Sequence, residues 1–488
     1  MLKIWGLRVS ETQNVSLWSP ARRPRIDSDS SKNDEGDQPS WRSVFQQDFD
    51  RLLFSTPVRR LSDKTQVWPM DENDGVRTRL THSHEVANLA RSLGSRIAGK
   101  DSTIFDADLH ETVQPILWAI GLAHDLGNPP FGHQGEAAIG SWFSKRGGWI
   151  FSHQCDDRNS IVFDNPISEN SRLEFTKFDG NPQTLRLVTR LQTHAYNLGL
   201  DLSAATLAAL IKYPVSAANR DEKNPAHKKV GYFESEKEIV EWIREKTGLK
   251  EKQRHPLTWI MEACDDIAYS ILDVDDVMKK GIASPEDIVS QMRSSKLQTY
   301  PVVEKIQLAF DKVDKSRRGV FVSRDVKIGY MRAYLMDELL DEASRAFMSN
   351  KDKIKYFDHS LKPLLEESKV CCFLKEIAKD HAFSHSNVLK SEAKGAEALG
   401  DIMSFFWNAI YERKDIGDIN SRRTSAVSKF AWSLISPNYI EEASRCIKKS
   451  TPREMIRYAE IRLLTDMVSG MTDTFAMKLW QDIKGLPK

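Results

Sequence analysis

The sequence predicts a mainly α-helical protein, and three observations carry that expectation. Apolar residues recur at three- and four-residue steps through most of the chain, the spacing of one helix face. Alternating runs of the β type are scarce, and no Gly-rich phosphate loop appears between a strand and a helix. At 488 residues the chain can bury a large core, and it carries no repeat of fixed period and no clear linker.

Taken in order, Met1 to Val9 is a brief apolar start without the length of a signal-peptide core. Ser10 to Gln38 is polar, and Ser28 to Asp37 is almost wholly Ser, Asp, Asn, Lys, Glu and Gly, which predicts a flexible arm. From Ser40, helical spacing sets in through Trp41, Val44, Phe45, Phe49, Leu52 and Leu53. The dense polar run Arg59 to Gln66 reads, on composition alone, as a solvated face. After an acidic turn at Asp71 to Asp74, a helix is expected through Leu80, Val86, Leu89 and Leu93, stopping near Gly94 or Gly99. Val113 to Leu126 is apolar on nearly every side and reads as a buried helix. Residues 145–185 look loop-rich, further helices are expected at Leu185 to Leu191 and Leu202 to Ile211, and Asn219 to Lys229 is a polar connector. Pro256 to Met278 is the next long helix, and amphipathic segments follow to the end.

Composition narrows the function classes. With 40% hydrophobic and 28% charged residues and a formal charge of +1, no global field draws the chain to nucleic acid or membrane. A local basic pocket would be hidden by that total. Cys155, Cys264, Cys371, Cys372 and Cys446 show no paired spacing, which fits a reducing, cytoplasmic setting. No apolar run approaches the length of a membrane span.

The chemistry concentrates at Ala123-His124-Asp125-Leu126-Gly127-Asn128-Pro129-Pro130-Phe131-Gly132-His133-Gln134-Gly135-Glu136. Histidines and carboxylates are dense here in a segment too apolar for a solvated loop, the pattern of an active site. His82, His124, Asp125 and Asp265 form a donor set that suits Mg, Mn, Fe or Zn, and it contains none of the thiolates of a structural zinc site. His124 and Asp125 can both reach one ion only near a helix end, which the Gly127 to Pro130 break supplies. Asp265, Tyr269 and Asp273, spaced four apart, share one strip of a helix. His133 and Glu136, three apart at a new helix start, let the carboxylate orient the imidazole and raise its pKa, as a general acid at neutral pH requires.

These residues resemble a known family. His82, His124-Asp125 and Asp265 match the signature of HD-domain phosphohydrolases. Arg60 to Pro69, Arg79-Leu80-Thr81-His82-Ser83, His124 to Glu136, Glu262 to Asp273 and Gly470-Met471-Thr472-Asp473 are similar to bacterial deoxyguanosine triphosphate triphosphohydrolases and their deoxynucleotide triphosphohydrolase relatives. The similarity runs from about residue 40 to 290 and recurs at 462–477; residues 290–450 carry no motif. It implies an HD-domain helical core with helical elaborations: an N-terminal segment over 1–39, a catalytic core over 40–290, and a C-terminal helical region over 291–488 packing on that core.

The resemblance implies hydrolysis of a deoxynucleoside triphosphate, dGTP by default, to deoxynucleoside and inorganic triphosphate. It assigns His82, His124, Asp125 and Asp265 to a divalent metal, Mg or Mn. His133 becomes the acid that protonates the departing 5′ oxygen, held by Glu136. Arg79 is matched to the α-phosphate, Lys212 and Tyr213 to the triphosphate, with one of Lys228 and Lys229, here Lys229, joining them. Tyr269 and Asp273 lie near the substrate, and Gln66 is matched to the glutamine that reads the 3′ hydroxyl. His84 stands where relatives carry an apolar residue and competes with His82 as first ligand; spacing from Arg79 favours His82. The family also implies a homo-oligomer, hexamers among the forms, and single-stranded DNA as a candidate effector. Competing readings are another HD nucleotidase or cyclic-nucleotide phosphodiesterase, or a nucleic-acid-binding regulator using Arg422, Arg423 and Lys429.

Overall fold

The computed structural model describes residues 15–25, 41–69, 75–153, 159–316 and 319–486. The first fourteen residues, most of the expected polar arm, the acidic turn Asp71 to Asp74 and Cys155 lie outside the described residues. Among those described, the chain is mainly helical, and only two isolated bridges, Thr65 with Thr78 and His153 with Val162, pair extended backbone.

Local capping chemistry sets the helix starts. Ser43 accepts the Gln46 N–H and opens Val44–Leu53, and Thr78 and Thr81 form a reciprocal capping box at the head of Arg79–Lys100. The latter helix runs through Gly94 and ends after Gly99. A π-helical turn, Leu109–Val113, feeds the buried helix Gln114–Ala123, so the regular helix is shorter than the apolar run that predicts it. Residues 145–185 are less loop-like than expected: they hold the short helices Trp149–Ser152 and Glu169–Thr176 and the start of Gly180–Thr189. Ser168 and Asp179 cap the last two, which compensates for their Gly, Asn and Pro content. His255 and Pro256 open the long helix Pro256–Lys279, as Pro at the first helical position favours.

Two apolar clusters hold these helices. The first gathers Leu52, Leu93, Leu117, Ile260 and Ile271 with Leu339 and Leu374. The second gathers Phe143, Phe175 and Phe233 with Phe406, Trp407 and Leu464. Each draws on residues before and after 290. Arg186, itself buried, bridges Glu236 at 2.8 Å and Asp466 at 2.7 Å and so ties Gly180–Thr189 to the helix Arg453–Ser469. Removing one partner of such a buried pair costs about 3–5 kcal/mol.

A candidate metal and phosphate site

The helices Arg79–Lys100 and Gln114–Ala123 meet closely at Gly121, where a Cβ would lie 2.5 Å from the Ala87 Cα. That approach brings His82, in the first turn of one helix, against His124, just past the end of the other, with ring centroids 5.4 Å apart. Asp265 of Pro256–Lys279 completes the group: its Oδ1 lies 3.3 Å from His82 Nε2 and 3.5 Å from His124 Nε2. One ligand atom from each of the three falls within 4.8 Å of the others. His124 Nδ1 donates to the Gly121 carbonyl at 2.7 Å, while its buried Nε2 has no hydrogen-bond partner. An imidazole tautomer fixed by its own backbone and an orphaned nitrogen facing a carboxylate fit a divalent cation. Burial alone would lower the His124 pKa, but the Asp125 and Asp265 carboxylates outweigh it and push it up to about 9, so the pocket favours positive charge.

Asp125 sits at the edge of this group. One oxygen is ion-paired to Arg79; the other accepts from Asn128 Nδ2 at 2.6 Å and lies 3.6 Å from His124 Nε2. Despite its burial, the Arg79 guanidinium holds its carboxyl well below the usual carboxylate range. His84 is exposed whereas His82 is buried, so only the latter faces the site.

Beyond the double proline, Phe131 and Gly132 adopt left-handed backbone with φ of 62° and 55°. A Cβ on Gly132 would lie 2.5 Å from the Arg79 guanidinium, so the sharp turn also needs a bare residue. The helix Gly132–Lys145 then presents His133, 79% exposed to the open cavity. His133 Nδ1 donates to Glu136 at 2.8 Å, and that hydrogen bond raises the imidazole's pKa. The other Glu136 oxygen accepts from Gly180 N–H at 2.7 Å, which anchors the carboxylate.

These groups line one cavity of about 680 Å³, together with Gln66, Tyr213, Lys228, Lys229 and Tyr269. Lys212 Nζ lies 3.3 Å from Asp265 Oδ2, and its backbone oxygen is held at 2.8 Å by Arg254. Although buried, Lys212 has its pKa raised, chiefly by Asp265. Lys229 pairs with Asp179 at 2.5 Å, whereas Lys228 is the more exposed of the two.

Asp273 is not brought to the cavity. The strip Asp265–Tyr269 opens onto it, but one turn later the helix is covered and Asp273 is buried. Burial first, and Asp276 next, raise its carboxyl well above the usual range.

Several lining residues carried no sequence signal. Lys375 pairs with Asp266 at 2.8 Å, Phe383 stacks on Tyr269 with centroids 5.6 Å apart and planes 13° apart, and Leu389 and Glu392 stand beside them. Lys375 occupies the polar face of an ordinary amphipathic helix, Lys369–Ala378, and Phe383 a π turn. The polar run Arg59 to Gln66 is less solvated than its composition suggests, because Lys64 is buried with its ammonium on two backbone carbonyls. Of the basic trio near residue 423, Arg423 is buried against Trp432, 3.2 Å from the ring centre, which leaves no cluster of three exposed cations. Among the described residues, no helix is long and apolar enough to cross a membrane.

Comparison with known proteins places this geometry in a lineage. The HD domain family matches residues 79–158, the stretch that carries His82, His124 and Asp125. A deoxyguanosinetriphosphate triphosphohydrolase-like protein of Listeria monocytogenes is 31% identical over 465 residues, covering 91% of this chain and 94% of its own. Its counterpart in Synechocystis is 32% identical over 461 residues, again 91% and 94%. The deoxyguanosinetriphosphate triphosphohydrolase of Klebsiella pneumoniae is 30% identical over 486 residues, 91% of this chain and 93% of its own. With a candidate His/His/Asp metal group, a helical fold and similarity over 91% of the chain in agreement, this chain belongs to the deoxyguanosinetriphosphate triphosphohydrolase family of HD-domain proteins.

Proposed function

We propose that this protein hydrolyses deoxynucleoside triphosphates, dGTP foremost, at the α-phosphate, releasing deoxynucleoside and inorganic triphosphate. The observation that carries the reading is the meeting, in one cavity, of a His/His/Asp metal set, a carboxylate-held histidine and several cationic side chains. His82, His124 and Asp265, with Asp125 beside them, would hold a divalent ion, Mg or Mn. Such an ion lowers the pKa of water and offsets phosphate charge, worth several kcal/mol.

The chain's own groups do the rest. Arg79 reaches the α-phosphate while keeping Asp125 ionised. Lys212, Tyr213 and Lys229 hold the β- and γ-phosphates and offset the charge of the triphosphate, from which the nucleoside 5′ oxygen departs. His133 is the acid. A nucleoside 5′ oxygen leaves poorly as an alkoxide, and an imidazolium poised by Glu136 delivers the proton as the bond to phosphorus breaks, worth about 10²- to 10⁴-fold. Gln66 reads the 3′ hydroxyl, and Tyr269, backed by Phe383, packs at C2′ and leaves no room for a ribose hydroxyl. The same reading expects a homo-oligomer, measurable by light scattering.

The test is incubation of the protein with each dNTP and Mg or Mn, resolving products by chromatography. Equal amounts of deoxynucleoside and triphosphate are expected, fastest from dGTP. Diphosphate or orthophosphate as the first product would overturn the reading.

A further inference from the structure

The Gly470-Met471-Thr472-Asp473 segment lies far along the chain from the residues proposed to hold the metal and substrate, yet it reaches the rim of the site. Asp473 is 1% exposed. Its Oδ2 accepts from the Thr65 N–H at 2.9 Å and from the Thr65 hydroxyl, and its Oδ1 accepts from the Phe131 N–H at 3.0 Å. One carboxylate therefore grips two loops at once: the one that carries Gln66, and the left-handed turn from which His133 projects. A second strut runs parallel. Lys64 Nζ donates to the Asn128 carbonyl at 2.5 Å and to the Ser469 carbonyl at 2.9 Å. The Phe131 ring is seated against Gly395, where a Cβ would come within 2.7 Å of it. The Lys64 carbonyl in turn accepts the Arg79 N–H at 2.9 Å, so the helix that bears Arg79 and His82 starts from the same knot.

We propose that Asp473 is a positioning residue: by bonding Thr65 and Phe131 simultaneously, it sets the 3′-hydroxyl reader Gln66 and the acid His133 at a fixed distance from each other across the substrate. The inference rests on the roles proposed above for Gln66 and His133. The Asp473 carboxylate itself does not hold the metal group: the hydrogen bonds and ion pairs of His82, His124 and Asp265 reach neither Asp473 nor Thr65, and the link to their helix runs through Lys64 instead. Loss of the carboxylate should therefore uncouple proton delivery and sugar reading while leaving metal binding in place.

Asp473→Asn is the direct test, since the amide keeps the shape but presents N–H groups to donors already there. The expected result is a fall in kcat of at least tenfold and a matching fall in the preference for dGTP over 2′,3′-dideoxy-GTP. Mn²⁺ affinity, measured by calorimetry, should stay within about twofold of wild type. Amide hydrogen exchange at residues 64–66 and 128–133 should accelerate. Thr65→Val, which removes only the hydroxyl bond, should show the same pattern at smaller amplitude, and Thr65→Ser should restore wild-type behaviour. If Asp473→Asn does not fold, Thr65→Val decides. Unchanged turnover and selectivity, or loss of Mn²⁺ binding in step with turnover, would overturn the proposal. Faster exchange in a protein whose wild type releases no triphosphate would instead count against the proposed reaction and leave the grip itself standing.

Discussion

His124 donates its Nδ1–H to the carbonyl oxygen of Gly121 at 2.7 Å, and its Nε2 consequently faces the Asp265 carboxylate 3.5 Å away. The helix end rather than any ligand turns Nε2 toward the carboxylate, and because Asp125 and Asp265 raise the imidazole's pKa, an ion binding there displaces its proton. Asp265→Asn keeps the shape but removes the charge that Lys212 and both imidazoles face. Its expected effect on Mn²⁺ affinity exceeds the roughly 10- to 100-fold cost of losing an outer-shell partner. Calorimetric titration checks this, and triphosphate release should vanish with the affinity.

The pH dependence of turnover should report His133. The hydrogen bond to Glu136 raises its pKa, so the imidazolium persists to higher pH than in a free histidine. Glu136→Gln withdraws that support and lowers the pKa. The alkaline limb of the kcat profile should then move to lower pH, while the acid limb stays. His133→Asn should cost about 10²- to 10⁴-fold in kcat at neutral pH. A profile that Glu136→Gln leaves unmoved would remove His133 from the role.

Much of this site was legible in the sequence because its donors are rigidly spaced on helices. His82 lies one turn into a capped helix, His124-Asp125 sits at a helix end forced by the prolines, and Asp265 and Tyr269 share a strip. The same periodicity misled at Asp273, because four-residue spacing fixes a face but not where neighbouring helices cover it. Lys64 read as solvated because composition cannot register two backbone carbonyls waiting for a buried ammonium. The wall made by Lys375, Phe383 and Glu392 was invisible for a different reason: Lys375 and Glu392 belong to ordinary amphipathic helices and Phe383 to the π turn between them, and only long-range packing turns them toward the cavity.

That wall supplies a prediction of its own. Phe383 lies nearly parallel to the Tyr269 ring, 13° between planes. An aromatic pair contributes about 0.5–1.5 kcal/mol beyond its buried area, and here that energy would hold the tyrosine in the place the proposed reading gives the sugar. Phe383→Ala should free the ring and narrow the kcat/KM ratio of dGTP over GTP by about threefold to tenfold. Steady-state kinetics on the two substrates measure it. A ratio equal to wild type would show that Tyr269 needs no backing to exclude the 2′ hydroxyl.

Stability should fall in mild acid through a group outside the cavity. His255 is fully buried at the head of Pro256–Lys279, where Nδ1 accepts the Leu257 N–H at 3.2 Å and Nε2–H donates to the Leu17 carbonyl at 3.2 Å. Both nitrogens are satisfied only in the neutral ring, since a proton on Nδ1 would break the helix cap. Burial accordingly pushes the pKa down to about 4, against about 6.5 in an unfolded chain. Between those values the unfolded chain binds a proton that the folded protein refuses, so stability present above pH 6.5 drains away as pH falls toward 4, about 3 kcal/mol in all. His255→Asn retains a capping acceptor but does not titrate. It should be less stable than wild type at pH 7.5, with the deficit shrinking by about 2 kcal/mol at pH 5. Urea denaturation of both proteins at the two pH values measures the difference, and a deficit that does not change with pH would mean that His255 titrates alike in the folded and unfolded chains.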